Sequence, residues 1–452
     1  MVRGHTTSTR VFATVLLAAA LALTSCGQPS ETTTAPPSEG PRVVLIGVDG
    51  LDWGRVDSMI AEGGLPHIAA LRDRGTSGVL RSIPPFRSPS VWTSMATGKS
   101  EEKHGISGFL VGGGDAKIAT PTSGNMRRVR AFWEIMSSAG CSVGVVAWLV
   151  TWPAEPVDGY MVSPNIHRLL SWRDGSADEQ EADDRLAMAV YPPELADAVA
   201  GVMVTTGDIP PGRVESFLGT TRHLDVPNVV LDVENIASTY AADLTTLTIA
   251  DTLATLHPTR VRAVYLRGLD INCHAMWRYM DPSSWPGDNP PEMEETFSTV
   301  IEAYYAAADS MVGSIVRSEG DDTVFILCSD HGFAGHRGYD GFEGDVAVGI
   351  DMHREDGLII VAGPGIRVGE SVAGACVLDI APTLLAAVGL PAARDMDGRV
   401  LVEVFDDDFL AAHPIAMVDT YETGERSVGD EPVESPVDDE IKEMLRSLGY
   451  IN

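Results

Sequence analysis

The sequence of 452 residues has little cysteine and little positive charge. Its five cysteines include no Cys-x-x-Cys pair, so a disulfide framework is not indicated and we expect unpaired, buried thiols. Lysine and arginine number 32 against 64 acidic residues, which gives a formal net charge of −32. Because such a surface repels phosphate backbones, sequence-independent nucleic-acid binding is not expected. An anionic substrate therefore needs a locally positive site, which bound metal would supply.

The apolar runs are also short. At the N-terminus, Arg3 and Arg10 precede the run 11–23, which is shorter than the roughly 20 residues that span a bilayer and is typical of an export signal. The letters LTSC that end at Cys26 resemble a bacterial lipobox. We therefore predict a lipoprotein signal peptide over 1–25 and membrane attachment through lipid on Cys26, on the periplasmic or cell-surface side. An ordinary cleaved signal is the alternative.

Short β-branched runs alternate with helical patterns over most of the remaining chain, and 44% of all residues are hydrophobic. Continuous apolar strands separated by helices indicate a doubly wound α/β sheet with helices on both faces. The strands are predicted at 42–48, 143–149, 261–267, 322–330 and 357–363, and helices at 65–75, 232–256 and 294–317.

The domain organisation follows from composition. A Pro/Ser/Thr-rich flexible tether is predicted for 26–41 and a catalytic domain for 42–418. Within that domain, three stretches rich in Gly, Pro, Trp and charge are read as insertions over the sheet edge that form a cap: 107–128, 154–230 and 275–293. The last segment, 419–452, is an acidic C-terminal segment, and its part 419–440 is expected to be a solvated surface stretch.

Carboxylates and imidazoles occur where predicted strands end, and ligands of open α/β sheets bind beyond those ends. The residues are Asp49, the pair Asp330 and His331, the pair Asp270 and His274, and His353. The i, i+4 spacing of the second pair places both side chains on one helix face. Oxygen and nitrogen donors without cysteine suit two closely spaced divalent cations such as Zn²⁺, which together can activate a hydroxyl and clamp a phosphoryl group.

A nucleophile is predicted in the run SPSVWTSMATGK, which begins at Ser88. Pro89 suits the first position of a helix, so Ser88 is expected to be its N-cap, with its hydroxyl at the positive end. Ser90, Thr93 and Thr97 are rivals, but the two threonines fall inside the helix, where backbone carbonyls can accept from their hydroxyls.

Together, VVLIGVDGLD, SPSVWTSMATGK, EEKHGI, YLRGLDINCHAMW, SDHGF, HREDGLIIVAGPG and VLDIAPTLLAAVGL resemble the type I phosphodiesterase/nucleotide pyrophosphatase family of the alkaline phosphatase superfamily. The resemblance implies an alkaline-phosphatase-like sheet and a phosphate-ester hydrolase with a two-zinc site. It implies that Ser88 is the nucleophile, which forms a covalent phospho-serine and binds one metal together with Asp49, Asp330 and His331. The other metal would be bound by Asp270, His274 and His353.

Two points of the resemblance stay open. His336 competes with His353 as the last metal ligand, and His353 is favoured because the family places this histidine shortly before the GlyPro strand. The family also has an asparagine after HisGlyIle that supports a phosphate oxygen, whereas here the stretch reads HGISGFLVGG. Asn125 is a candidate substitute. His104 is read as structural.

Alternatives to a phosphodiesterase or phosphomonoesterase are a sulfatase or phosphonate monoester hydrolase of the same superfamily. A sulfatase needs Cys or Ser followed by x-Pro-x-Arg, and the residues after Ser88 lack both. A catalytically inactive, surface-tethered binding protein is an alternative of another class. The preference for phosphomonoesters or phosphodiesters stays open. Five tryptophans either pack in the core or line a pocket for a bulky leaving group: Trp148, Trp152, Trp172, Trp277 and Trp285.

Overall fold

A computed structural model describes residues 40–112, 119–175, 178–285, 287–335, 352–424, 428–429 and 431–451. The predicted signal peptide, Cys26, most of the tether and His336 lie outside these residues. Within the described ranges, no helix has the length and apolar character needed to cross a bilayer.

The described residues form fifteen strands. They are β1 (Arg42–Val48), β2 (Gly75–Arg81), β3 (Leu110–Val111), β4 (Thr120–Pro121), β5 (Val143–Val146), β6 (Gly159–Val162), β7 (Val190–Tyr191), β8 (Val261–Leu266), β9 (Thr323–Cys328), β10 (Gly332–Phe333), β11 (His353–Arg354), β12 (Asp356–Ala362), β13 (Ala375–Cys376), β14 (Ala392–Ala393) and β15 (Met417–Val418).

They also form fifteen α-helices. These are α1 (Trp53–Ala61), α2 (Pro66–Asp73), α3 (Ser88–Thr97), α4 (Glu101–His104), α5 (Phe132–Ser138), α6 (Ile166–Gly175), α7 (Glu179–Ala189), α8 (Ala196–Ala200), α9 (Pro227–Leu256), α10 (Gly268–Met280), α11 (Pro291–Phe297), α12 (Val300–Ser318), α13 (Ile380–Ala387), α14 (Asp407–Ala412) and α15 (Asp438–Ser447).

Nine of the described strands make one mixed sheet in the order β13-β2-β12-β9-β1-β8-β5-β6-β7. β1 lies between β8 and β9 and pairs in parallel with both, with Val48 opposite Leu266 and Gly47 opposite Cys328. The carboxyl ends of these three strands therefore lie side by side. β12 runs antiparallel to both of its neighbours, β2 and β9.

The core lies on both faces of the sheet, because alternate residues of each buried strand point to opposite sides. Val44, Ile46 and Val48 of β1 pack in one hydrophobic cluster with α2, α9, α10 and α12. Val43 and Leu45 pack in a second cluster with α3, α5 and α13. The predicted doubly wound α/β architecture with helices on both faces is confirmed.

The stretch 154–230 is more than a cover over the sheet edge. It contributes β6 and β7, which extend the sheet, with β6 parallel to β5 and β7 antiparallel to β6. The short, polar-flanked strands concealed this pairing in the sequence.

The cysteines of the described residues are free, as expected. Cys141, Cys273 and Cys328 are buried, and Cys376 is half-buried. Burial raises the pKa of each of the three buried thiols, so they behave as small apolar core residues.

Candidate metal centre

Three adjacent strand ends carry the predicted acidic residues. Asp49 follows β1 directly, and Asp330 lies two residues beyond the end of β9. Asp270 is in the first turn of α10, which begins directly after the β8 strand and its following Arg267. Because β8 and β9 flank β1 in parallel, the three carboxylates converge from three neighbouring strands.

His353 reaches the same place from a separate part of the chain. β11 pairs with β10 in an antiparallel ladder in which His353 lies opposite Phe333. The ring of His353 stacks on that of His331, with centroids 3.5 Å apart. The Nδ1 atom of His353 is 2.7 Å from the carbonyl oxygen of Phe86, which fixes the ring and directs Nε2 toward the carboxylates.

The first ligand set consists of Asp270, His274 and His353, all buried. The Oδ1 atom of Asp270 lies 3.2 Å from His274 Nε2 and 3.4 Å from His353 Nε2. The two Nε2 atoms are 2.9 Å apart. A tetrahedral zinc ion with bonds of about 2.0–2.1 Å separates its ligand atoms by roughly 3.3 Å, so these three donors fit such an ion.

The second set lies beside the first and shares a residue with it. His331 Nε2 is 3.3 Å from Asp49 Oδ1 and 3.3 Å from Asp330 Oδ2. It is also 3.9 Å from Asp270 Oδ1. Asp49, Asp270 and His331 each offer one ligand atom, and these three atoms lie within 4.8 Å of one another, so they could bind one ion. The resemblance assigned Asp270 to one metal alone, whereas the structure places its carboxylate between both sets.

Four polar atoms of the ligand residues, and the hydroxyl of Ser88, are buried without hydrogen-bond partners. The atoms are Asp49 Oδ1, Ser88 Oγ, Asp270 Oδ1, Asp330 Oδ2 and His331 Nε2. Buried polar atoms are otherwise nearly always hydrogen-bonded, and a group of unpaired oxygens is costly. Cations bound among them would pair these atoms, so the donor set fits the metals that the resemblance implies.

Neighbouring groups bind the opposite atom of three of the ligands, Asp49, Asp330 and His331. Trp92 donates its indole N–H to Asp49 Oδ2 over 3.2 Å, and the Tyr265 hydroxyl donates to the same oxygen. The Gly50 N–H is 3.4 Å from Asp330 Oδ1. His331 Nδ1 lies 3.1 Å from the Gly332 carbonyl oxygen. Such contacts orient metal ligands and leave one donor atom of each facing inward.

The pKa values follow from the crowding of these groups. Burial, reinforced by the negative charge of Asp270, raises the pKa of Asp49 to about 7. Burial and Asp49 raise the pKa of Asp330 well above its usual range. For Asp270, burial raises the pKa, but His274 and His353 outweigh it and the net pKa is well below the usual range. Burial lowers the pKa of His331, so its ring stays neutral, the form that binds metal.

Ser88 is the first residue of α3, and the cap before it is Arg87, which makes no side-chain cap hydrogen bond. The prediction that Ser88 itself is the N-cap was therefore wrong by one residue, because Pro89 occupies the second helical position rather than the first. Ser88 still lies at the positive end of the helix. The preceding loop is fixed on His353 through Phe86, and Trp92 fixes the same helix on Asp49.

The rival hydroxyls all have partners. Ser90 Oγ donates to Glu101 Oε2 over 2.9 Å. Thr93 Oγ1 donates to the Pro89 carbonyl oxygen over 2.7 Å, and Thr97 Oγ1 to that of Thr93 over 2.8 Å. Ser88 is thus the member of this set whose hydroxyl is buried and unpaired.

Other candidates are placed away from the centre. His104 is fully buried and binds Ser94 Oγ over 2.9 Å, in line with a structural role. Asn125 accepts from Ser123 Oγ and donates to the Glu431 carbonyl oxygen, so the structure does not support it as a substitute phosphate ligand. His336, the alternative to His353, lies outside the described residues.

The five tryptophans divide between the two interpretations. Trp148 is fully buried and packs edge-on against Trp92 in the core, with ring centroids 5.0 Å apart. Trp152 lines a small, mainly apolar cavity next to Pro89 and Phe109. Trp172, Trp277 and Trp285 pack against the core cluster on one face of the sheet. Trp277 also lines a cavity, beside Phe333, so Trp152 and Trp277 are the two of the five that border a cavity where an apolar leaving group can bind.

Sequence reasoning missed Tyr450. Its hydroxyl lies 2.6 Å from His274 Nε2, 3.1 Å from His353 Nε2 and 3.2 Å from Asp270 Oδ2. The signal was present, because Ile441, Met444, Leu445 and Leu448 follow the i, i+3, i+4, i+7 spacing of a helix that buries one face. The stretch 419–440 is mostly exposed where it is described, but the residues after it are not a solvated tail.

Comparison with solved structures found distant likenesses. A phosphonate monoester hydrolase from Silicibacter pomeroyi is 15% identical, covers 81% of this chain and 78% of its own, and has a TM-score of 0.44. A phosphonoacetate hydrolase from Sinorhizobium meliloti is 15% identical over 65% of this chain and 57% of its own, with a TM-score of 0.36. A sulfatase from Pseudoalteromonas sp. is 16% identical over 78% and 68%, with a TM-score of 0.42. None of these similarities assigns a substrate.

A comparison with curated proteins found no match. The family model described as type I phosphodiesterase / nucleotide pyrophosphatase matches residues 43–372, a range that starts in β1 and contains Ser88 and every predicted metal ligand. The family is metal-dependent. The chain therefore belongs to the type I phosphodiesterase/nucleotide pyrophosphatase family, and it is a hydrolase of ester bonds.

Proposed function

We propose that this protein hydrolyses small phosphate esters at a site with two zinc ions, with Ser88 as the nucleophile. The observation that carries the proposal is the buried, unpaired Ser88 hydroxyl. It belongs to a helix and loop that contact Asp49 on one side and His353 on the other. A buried hydroxyl without a partner, on a helix that contacts one metal-binding side chain and next to a loop that contacts another, is arranged to react rather than to stabilise the fold.

The proposed ligands follow the two sets described above. Asp49, Asp330 and His331, together with Ser88, hold one cation, and Asp270, His274 and His353 hold the other. Bound cations would lower the pKa of the serine hydroxyl and stabilise charge on the phosphoryl oxygens.

The protein side of the reaction is a double displacement. Ser88 Oγ attacks phosphorus, an O–P bond forms, the ester P–O bond breaks, and the alcohol leaves with a proton. Water then attacks the phospho-serine, and the Ser88 hydroxyl is restored as phosphate or phosphomonoester departs. The position of Ser88 in the first turn of α3 favours the anionic group, because the helix N-terminus carries a partial positive charge.

A phosphate ester is favoured over a sulfate ester by the residues around Ser88. The sulfatase pattern needs Pro and Arg where this chain has Ser90 and Trp92. Here the indole of Trp92 is used to orient Asp49, and no formylglycine precursor is present. The similarity to solved phosphonate hydrolases and sulfatases keeps both as secondary activities to be measured.

The proposal is tested with Ser88→Ala and a matched control, Ser90→Ala. Ser90 lies two residues after Ser88, and its hydroxyl donates to Glu101. We expect Ser88→Ala to lower turnover of a nitrophenyl phosphodiester by at least about 10³-fold, because the covalent route is lost, while zinc content stays at two per chain. Ser90→Ala should keep most of the activity. Wild-type turnover in Ser88→Ala would refute the nucleophile assignment.

The substrate class is tested with a panel on the zinc-loaded protein: aryl phosphomonoesters, aryl phosphodiesters, aryl phosphonate monoesters and aryl sulfates. The ratio of kcat/KM values separates these classes directly. An inactive binding protein would hydrolyse none of them, and failure to bind stoichiometric zinc would support that alternative.

The proposed location is the periplasmic or cell-surface side of a bacterial membrane, to which lipid on Cys26 attaches the chain. This location rests on the amino-acid sequence before residue 40 alone.

A further inference from the structure

The last described residues form a short arm that lies on the metal centre. We call residues 437–451 the C-terminal arm; it contains α15 and ends beside Tyr450. Leu445, Leu448 and Tyr450 form a separate hydrophobic cluster, and Phe109 and Ile271 pack against it. Ile271 belongs to α10, between the ligands Asp270 and His274, so the arm contacts the element that carries two of the ligands.

The ring of Tyr450 is held by an aromatic contact. Its centroid lies 4.6 Å from that of Phe109. Phe109 belongs to the HGISGF stretch, the place where the family has its phosphate-binding asparagine. In this chain, that stretch supports the arm instead.

The same arm contacts a half-buried cation. Arg267, which lies between β8 and α10, directs Nη2 to the Met444 sulfur over 3.6 Å and Nη1 to Asn165 Oδ1. A thioether is a weak acceptor for a guanidinium. Displacement of Met444 would leave this guanidinium group available to an anion.

The hydroxyl of Tyr450 completes the first ligand set. Its distances to His274 Nε2, His353 Nε2 and Asp270 Oδ2 are 2.6, 3.1 and 3.2 Å. The three distances within the set are 2.9, 3.2 and 3.4 Å, and the last two are measured from Asp270 Oδ1. Tyr450 contacts the other oxygen of that carboxylate, so five of the six separations among the two Nε2 atoms, Asp270 Oδ1 and the phenol oxygen are given by these distances, and they are near the roughly 3.3 Å of a four-coordinate zinc shell. In catalytic zinc sites, this fourth position is normally left open for water or substrate.

We infer that Tyr450 is a fourth, displaceable protein ligand at the metal position formed by Asp270, His274 and His353. The inference rests on the proposed function, because it needs a cation at that position. Substrate must then displace the phenol oxygen, and the C-terminal arm limits access to the site from within the same chain.

The test uses Tyr450→Phe, which keeps the ring contact with Phe109 and removes the oxygen. The matched control is Tyr421→Phe, which also removes one phenol oxygen, here a donor to the Pro391 carbonyl. The full-length protein is loaded with Co²⁺, and its visible absorption and metal affinity are measured. We expect an altered spectrum and at least about tenfold weaker binding at one of the two positions in Tyr450→Phe, on the scale of losing a supporting ligand contact.

A second measurement uses inorganic phosphate as the probe. If Tyr450 occupies the position nine times in ten, its removal raises phosphate affinity about tenfold, because apparent affinity scales with the open fraction. A chain that ends at Gly449 removes the same oxygen in a different way and should show the same gain. Tyr421→Phe should match the wild type in both measurements.

The outcomes separate this inference from the proposed function. An unchanged cobalt spectrum together with unchanged phosphate affinity in Tyr450→Phe overturns the inference, even if the enzyme hydrolyses phosphodiesters. A changed spectrum and tighter phosphate binding support it. If wild type and Tyr450→Phe both hydrolyse none of the panel esters, the proposed function fails while the cobalt measurement still decides the role of Tyr450.

Discussion

Asp49 illustrates how single residues are tuned at this centre. One carboxylate oxygen accepts from Trp92 and Tyr265, and the other is buried without a partner. Two further carboxylates, Asp270 and Asp330, share the same buried space. Burial and this repulsion raise the pKa of Asp49 to about 7, because protonation is the available means of reducing negative charge when no cation is bound.

We therefore predict that metal affinity falls as the pH drops below about 7. At pH 6, Asp49 of the metal-free protein is largely protonated, and Asp330, whose pKa is also raised, adds to the effect. A cation must displace these protons, so affinity weakens by about tenfold per pH unit for each proton released. His331 does not oppose the binding, because burial lowers its pKa and keeps it neutral.

Calorimetric zinc titrations in two buffers of different ionisation enthalpy measure the number of protons released. At pH 6 we expect at least one proton per chain, and about one fewer in Asp49→Asn. Zinc binding at pH 6 without proton release would show that these carboxyls are already ionised before the metal arrives.

At the scale of elements, α3 depends on a glycine in β1. A Cβ atom at Gly47 would lie 2.6 Å from two ring atoms of Trp92, the residue that both packs α3 on the sheet and donates to Asp49. The absence of a side chain at Gly47 thus allows the helix that begins with Ser88 to approach the strand that ends at Asp49.

We predict that Gly47→Ala lowers the free energy of unfolding by about 1–3 kcal/mol, the usual cost of overpacking a core, and weakens zinc binding because Trp92 is displaced. Gly54→Ala, at an exposed position of α1, is the control and should be neutral or slightly stabilising. Chemical denaturation and zinc titration measure both effects. Wild-type stability in Gly47→Ala would mean that Trp92 moves without cost.

Much of the element layout was predictable from apolar runs. The run 42–48 matches β1 residue for residue, and 261–267 and 322–330 contain β8 and β9. The antiparallel direction of β12 was not predictable, because a run of apolar residues does not indicate whether a strand runs parallel or antiparallel to its neighbours. The shared position of Asp270 also depends on sub-ångström placement of side chains that spacing along the chain does not determine.

The C-terminal arm was missed for a different reason. The many acidic residues between 419 and 440 predict a solvated segment, and that prediction was extended to the end of the chain. The helical spacing of apolar residues that starts at Ile441 was therefore overlooked. That spacing indicates a helix with one buried face, but it does not indicate which residues the helix packs against. Tyr450 reaches the centre through tertiary packing on Phe109.

At the scale of the whole molecule, the net charge of −32 and the N-terminal signal have to be considered together. A strongly acidic protein is repelled by anionic lipid head groups, so a stable membrane association requires an anchor. The lipid proposed on Cys26 is such an anchor, and the tether would separate it from the catalytic domain.

We predict that Cys26→Ala shifts the protein from the membrane fraction to the released fraction of the expressing bacterium. Cys376→Ala, which alters a half-buried cysteine of the folded part, should stay with the membranes. Fractionation with immunoblotting measures the distribution, and mass spectrometry of the mature N-terminus identifies the lipid. Membrane retention of Cys26→Ala would refute this mode of attachment.

The alkylation rates of the three buried cysteines can be used to measure local opening of the fold. Cys273 lies in the hydrophobic cluster on one face of the sheet, and Cys141 and Cys328 lie in the cluster on the other. An alkylating reagent reacts with a thiolate, and the raised pKa values and burial protect all three thiols in the closed state. The rate at which each cysteine acquires a label therefore reports how often its own side of the sheet separates from the helices that cover it.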